Sequence, residues 1–213
     1  GLEAIGFTVL EGYGLTETSP VICVNRQERV RFGSVGIALE DVKVKIADDG
    51  EIMTQSPSVM LGYYNKPEET AVALDCDGWF RTGDLGRLDS VGFLFITGRK
   101  KDVINRGGEK VCAHDVEEMI ISHPDVLRVA VIGMPDPRLG ERICAYIQPK
   151  QGRLISSNEM LAFLRGCGAS LLLLPERLEI VADLPVTAMD KVDKEKLRED
   201  ITQKLRAERK LAI

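Results

Sequence analysis

Near Gly98 the hydrophobic pattern of this chain changes its period, and that change limits the fold more than any other feature. Before it, Val42, Val44 and Ile46 alternate with Lys43 and Lys45, which reads as a half-buried strand. Asp48-Asp49-Gly50 then reads as a turn and Glu51-Ile52-Met53 as its hairpin partner. Phe93 to Ile96 is a further strand, entered from a turn around Asp89, Ser90 and Gly92. Beyond Gly98, helical and strand patterns alternate. Asp115, Glu117 and Glu118 load the start of a helix whose Val116, Met119 and Ile120 share one face, and Pro124 follows its end. Val126 to Ile132, Arg142 to Ile147 and Arg177 to Val181 read as strands, and Asn158 to Arg165 as a helix. Asp193 caps a last helix carrying Leu197, Ile201 and Leu205. The expected architecture is α+β. Residues 1–97 form a β-rich part, 98–102 a short charged hinge, and 103–213 a small α/β domain.

The chain has 213 residues, 44% apolar and 29% charged, enough to bury a core in one large or two small domains. A formal net charge of −5 supplies no basic footprint and argues against nucleic-acid binding. No stretch approaches the roughly 18–20 apolar residues of a membrane span. Gly1-Leu2-Glu3-Ala4 has no basic n-region of a signal peptide. The five cysteines are odd in number and lack a CxxC pair, which suits reduced thiols in a cytoplasmic protein. Two histidines leave no His-rich metal cage.

Four stretches carry chemistry. In GYGLTET (12–18), Gly12 and Gly14 bracket Tyr13, and such glycines let backbone N–H groups approach an anion. Thr16 can donate to a phosphate, and Glu17 offers the oxygen ligand that magnesium favours. WFRTGDL (79–85) sets Asp84 after a glycine, where its two oxygens can accept both hydroxyls of a ribose. ITGRKKDVINRGGEK (96–110) holds Arg99, a planar anion-binding group, then Lys101 and the turn Gly107-Gly108. LPVTAMDKVDK (184–194) places Lys191 on a loop before a helix. Each alone is equally a loop, a turn or a solvated charge; the order is what adds weight.

In that order the four stretches resemble the second half of the ANL adenylating superfamily, the AMP-forming ligases of acyl and aryl acids. The resemblance covers nearly the whole chain and implies the back part of a longer enzyme, inactive by itself. It implies that residues 1–97 are the barrel-like end of a large N-terminal domain and that 103–213 is its mobile cap, with Lys101 as the pivot. It assigns Tyr13 to adenine, Thr16 to phosphate, Glu17 to Mg2+, Asp84 and Arg99 to ribose and phosphate, and Gly107-Gly108 to the pantetheine passage. Lys191 is the expected catalytic cation. At about 4 Å and an effective dielectric near 20, one such contact is worth about 4 kcal/mol, or roughly a thousandfold in rate. The implied substrates are ATP, a small carboxylic acid, and either coenzyme A or a carrier protein as thiol acceptor. The alternative is a non-catalytic docking module for such a carrier.

Three departures qualify the resemblance. Asp190 stands where the family usually has glycine, so a positive φ there would strain it, and its carboxylate is expected to compete for Lys191. Leu171 to Leu174 replace a segment that commonly carries an aromatic–lysine pair. No serine-, threonine- and glycine-rich phosphate loop occurs in these residues.

Overall fold

The structure, a computed structural model, describes residues 5–211. Residues 1–4, read above for a leader, lie outside them. The chain divides into two compact units between Lys101 and Asp102.

The first unit is mostly antiparallel sheet. Strands β1 (Gly12–Gly14), β2 (Val21–Val24) and β3 (Ile37–Ala38) form one sheet in that order. Strands β4 (Lys43–Ile46) and β5 (Glu51–Gln55) make the expected hairpin, with Val44 opposite Thr54 and Gly50 at φ 85° in its turn. Helix α1 (Pro67–Ala73) follows, then β6 (Phe80–Leu88) and β7 (Leu94–Arg99), completing the order β4-β5-β6-β7. Tyr13, Ile22, Cys23, Ile52 and Leu94 are the buried core. Each such apolar side chain contributes roughly 1.5–3 kcal/mol by leaving water.

Helix α1 has no counterpart in the pattern reading, because none of its residues is buried and no apolar stripe exists to find. Its sequence signal is local: Pro67 at the first helical position, then Glu68 and Glu69 in the first turn. Two motifs also change character. GYG is a strand rather than a turn, and RTGDL lies inside β6, where Gly83 has φ 74° and the register with β5 shifts. Gly98 and Arg99 are paired residues of β7, opposite Leu85 and Asp84, so the polar stretch 98–102 is linker only from Lys100 onward.

The second unit begins with the hairpin β8 (Val103–Arg106) and β9 (Glu109–Cys112), followed by α2 (Ala113–Ile121). Strands β10 (Val126–Asp136) and β11 (Gly140–Pro149) are longer than expected. Gly133, Pro135 and Asp136 read as breakers in sequence, but β10 is a sheet edge, where proline removes no ladder bond that matters. Helix α3 (Ser157–Gly166), strand β12 (Arg177–Ile180) and helix α4 (Lys194–Leu211) complete the unit. Ser156 caps α3, accepting from the Glu159 N–H at 3.2 Å, and Asp193 caps α4, accepting from the Lys196 N–H at 3.3 Å.

The sheet order is β10-β11-β8-β9, with β12 parallel to β11. Alternation divides its two faces. Val131, Ile143, Ala145 and Ile147 pack with Val116 and Ile120 of α2 and with Met160 and Leu164 of α3. Ala130, Ile132, Cys144 and Tyr146 pack with Leu197 and Ile201 of α4. The result is a helix–sheet–helix sandwich. All five cysteines are free, and no helix among the described residues is long and apolar enough to cross a membrane.

Candidate active site

In the first unit β1, β6 and β7 bring Tyr13, Asp84 and Arg99 together. Asp84 is 7% exposed. The Tyr13 hydroxyl donates to its Oδ2 at 2.7 Å, and Arg99 Nε lies 3.3 Å from Oδ1. Burial first, and the neighbouring carboxylate besides, push the Tyr13 hydroxyl above its ordinary range, so it remains a donor. Beside this trio is a cleft of about 430 Å³ lined by Leu15, Thr82, Gly83, Asp84, Arg99, Lys100 and Lys101. Asp84, Arg99 and Lys101, nominated from two separate motifs, thus face one space, while Tyr13 meets it only through the Asp84 carboxylate. Tyr13 itself is only 9% exposed and packs with Ile22 and Cys23, so most of its ring serves the core.

The GYG glycines act differently from the sequence expectation. A Cβ on Gly14 would lie 1.6 Å from the Pro20 carbonyl oxygen, and one on Gly12 3.3 Å from that of Cys23. It is the chain's own return strand, not an anion, that approaches them. Past β1 the backbone makes a 3-10 turn over Thr16–Thr18. Thr18 is buried there and its hydroxyl donates to the carbonyl oxygens of Leu15 and Pro20. Thr16 is exposed and Glu17 half-buried. Glu17 Oε1 accepts from the Tyr63 hydroxyl at 3.0 Å. Among the described residues Oε2 takes no hydrogen bond, and no three His, Cys, Asp or Glu residues converge on a metal position. A magnesium ion here would have one protein carboxylate, completing its shell with phosphate oxygens and water, which is how this ion is commonly held.

Glu51 escaped the sequence reading, which saw only a strand residue. It is 3% exposed and lies under the RTGD bulge, accepting from the Gly83 N–H at 3.0 Å, Arg81 Nη1 at 2.9 Å and Lys100 Nζ at 3.0 Å. Burial would raise its pKa, but the bonds from Lys100, Arg81 and Gly83 outweigh it and hold the carboxyl below the usual range. Lys100 also reaches Asp49 at 2.8 Å, which fixes the end of β7 to the β4–β5 hairpin. The signal available in sequence was only a glutamate directly after a DDG turn; alternation puts it on the face of Lys45 and Met53, opposite Val44 and Ile46, so its burial was not legible from the strand period.

Lys191, Gly107 and Gly108 belong to the second unit. Gly107 and Gly108 have φ 63° and 97° and form the two-residue turn of the β8–β9 hairpin, which requires positive φ at both places. Lys191 closes a turn in which the Thr187 N–H donates to its carbonyl at 2.7 Å, with Val186 bridged to Val192. The side chain is exposed, and among the described residues nothing engages its ammonium. Asp190 has φ 57°, the left-handed conformation expected of a glycine position. Its carboxylate does not compete for Lys191: it pairs with Arg128 Nη2 of β10 at 3.2 Å. In the leucine run, Leu172 to Leu174 pack on the α2–α3 side of the sheet, while Leu171 is 81% exposed.

Two family models match the chain, that of the AMP-binding enzyme over residues 2–64 and that of the AMP-binding enzyme C-terminal domain over 115–191. The chain belongs to the AMP-binding enzyme family. Among its relatives is the medium-chain fatty-acid–CoA ligase of Escherichia coli (strain K12), 39% identical over 94% of this chain and 38% of that protein. The 2,3-dihydroxybenzoate-AMP ligase of Bacillus subtilis (strain 168) is 42% identical over 78% of the chain and 31% of its own length. Among solved structures, ATP-bound MatB from Rhodopseudomonas palustris superposes with a TM-score of 0.85 at 35% identity, covering 92% of this chain and 41% of that one. The chain therefore spans about a third to two fifths of the length of these AMP-binding relatives.

Proposed function

We propose that this chain is the C-terminal part of an ATP-dependent carboxylic acid–CoA ligase. The observation that carries the reading is the convergence of Asp84, Arg99 and Lys101 on one cleft in the first unit, in a chain similar to a fatty-acid–CoA ligase. In the first half-reaction a carboxylate oxygen of the acid attacks the α-phosphorus of ATP, and the bond to pyrophosphate breaks. Negative charge concentrates there as the bond forms, and the Lys191 ammonium offsets it. In the second, the thiol sulfur attacks the acyl carbon, the bond to AMP breaks, and the thiol proton leaves to solvent.

Apart from Gly12 and Gly14, which pack against the chain's own return strand, each nominated residue has a role in this scheme. Tyr13 borders the adenine, Asp84 accepts from the ribose hydroxyls, and Arg99 and Thr16 contact phosphate. Glu17 is the carboxylate that would hold Mg2+, which when bound neutralises phosphate charge. The linker around Lys101 is the pivot that exchanges Lys191 for the Gly107-Gly108 turn between half-reactions. Asp84 would have to share oxygens that Tyr13 and Arg99 now occupy, so ribose binding shifts at least one of those bonds.

The test is ATP–pyrophosphate exchange by the complete enzyme. Lys191→Ala is expected to lower exchange roughly a thousandfold, and unchanged exchange would remove the lysine from the mechanism. A second acceptor has support in the similarity to the 2,3-dihydroxybenzoate-AMP ligase. Thioester formed on a phosphopantetheine carrier but not on coenzyme A would favour it.

A further inference from the structure

The segment Gly62-Tyr63-Tyr64-Asn65-Lys66-Pro67-Glu68-Glu69-Thr70 has no part in the scheme above, yet it reaches the carboxylate assigned to magnesium. Two bonds make the connection, one from Tyr63 within it and one from Met60 just ahead of it. The Tyr63 hydroxyl donates to Glu17 Oε1 at 3.0 Å, and the Met60 N–H donates to the Glu17 carbonyl at 2.8 Å. Both ends of the glutamate, backbone and side chain, are therefore held by one stretch some 45 residues away in sequence.

That stretch is itself fixed. The Tyr63 N–H donates to Thr70 Oγ1 at 2.9 Å, and the Thr70 hydroxyl donates to the Lys66 carbonyl at 2.7 Å within the first turn of α1. Gly62 has φ 150°, and a Cβ there would come within 2.7 Å of Thr70 Cγ2, so Gly62 and Thr70 pack without slack. Helix α1, which buries none of its residues, has here a reason to exist: it anchors Tyr63.

We propose that Tyr63 is a positioning residue that orients the Glu17 carboxylate for a divalent cation. The inference rests on the reading of Glu17 as the magnesium carboxylate. A phenol suits the task better than a cation would. It donates one hydrogen bond to Oε1, fixing the carboxylate plane, and leaves Oε2 and the full negative charge for the metal. Lysine or arginine in its place would neutralise that charge. A phenol, which ordinarily ionises only at about pH 10, carries a proton to donate at neutral pH.

The experiment is a Mg2+ titration of ATP binding to the complete enzyme without acid substrate, followed by calorimetry, beside ATP binding without metal and thermal unfolding. Tyr63→Phe is expected to raise the Mg2+ midpoint about tenfold, the usual loss when a bond supporting a metal ligand is removed, with metal-free ATP affinity and unfolding temperature unchanged. Glu17→Gln should raise the midpoint at least as much, and adding Tyr63→Phe to it should raise it no further. Thr70→Val, which removes the acceptor of the Tyr63 N–H but spares the phenol, should shift the midpoint in the same direction. A wild-type midpoint in Tyr63→Phe beside a raised one in Glu17→Gln overturns this inference alone. A wild-type midpoint in Glu17→Gln overturns the magnesium reading beneath it. Equal losses of metal-free and metal-dependent ATP binding in Tyr63→Phe overturn the positioning role in favour of a purely structural one. If Tyr63→Phe does not fold, a wild-type midpoint in Thr70→Val overturns it instead.

Discussion

Asp84 is 7% exposed with both carboxylate oxygens engaged, whereas Lys191 stands on an exposed turn with no partner for its ammonium among the described residues. The two charged groups are held by different means. Around Asp84 the support is layered: Tyr13 and Arg99 touch the carboxylate, and Glu51 beneath holds the Gly83 bulge and the side chains of Arg81 and Lys100. Around Lys191 the support is backbone alone, a closed turn ahead of the Asp193 cap, with the Arg128–Asp190 pair at its rim. In the proposed scheme, a group that binds a ribose in one orientation gains from rigid partners. A group proposed to meet charge only during reaction gains from having none to lose.

This contrast can be broken at several points. The largest effect is expected for Lys191→Ala, roughly a thousandfold in pyrophosphate exchange with an unchanged unfolding temperature, because the side chain is exposed and among the described residues its ammonium makes no hydrogen bond or ion pair. A drop in thermal stability of the second unit would show that the turn depends on the lysine after all.

Gly14→Ala is the opposite case, aimed at fold rather than chemistry. Its Cβ would stand 1.6 Å from the Pro20 carbonyl, backbone against backbone. Denaturant unfolding should show a loss of about 3 kcal/mol, and a loss below 1 kcal/mol would mean that β1 and β2 can separate freely.

Glu51→Gln should cost about 2 kcal/mol, the worth of hydrogen bonds to a charged group, moderated because Arg81 and Lys100 are half exposed and can turn to water. Its pH signature follows from the direction of the shift. The folded pKa lies below the ordinary value, so the contribution is present above about pH 4.3 and fades as pH falls through the lower folded value. Wild type and Glu51→Gln should therefore converge in stability on acidification; parallel curves would contradict the assignment.

Asp190→Gly gives the smallest effect. It relieves a φ of 57° and loses an exposed ion pair, two opposed changes of up to about 1 kcal/mol each. Stability should stay within about 1 kcal/mol, and the salt dependence contributed by the Arg128 pair should vanish. A salt response identical to wild type would show that the pair does not persist in solution.

Periodicity put the change of architecture near Gly98, which lies inside β7, a few residues before the division between Lys101 and Asp102; the motif order carried the family. The Val42–Ile46 hairpin and the caps at Ser156 and Asp193 were legible because each is decided within about five residues. Helix α1 was not, since its helicity follows from Pro67 and a tertiary anchor rather than an apolar stripe. The long strand β10 was truncated in the reading because Gly133 and Pro135 look like breakers until its edge position is known, and β11 extends beyond its apolar run because it pairs with β10 along its whole length.

Sequence by itself determined which chemical groups this chain carries, in what order, and where glycine-like backbone is needed, including the left-handed turn at Asp190. Only the tertiary structure decided who partners whom: Tyr13 with Asp84, Glu51 with the RTGD bulge, Tyr63 with Glu17, and Arg128 rather than Lys191 with Asp190. The physical reason is range. Turns, caps and strand periods arise from neighbours along the chain, but the fate of a carboxylate depends on which distant donor the fold brings within about 3 Å of it.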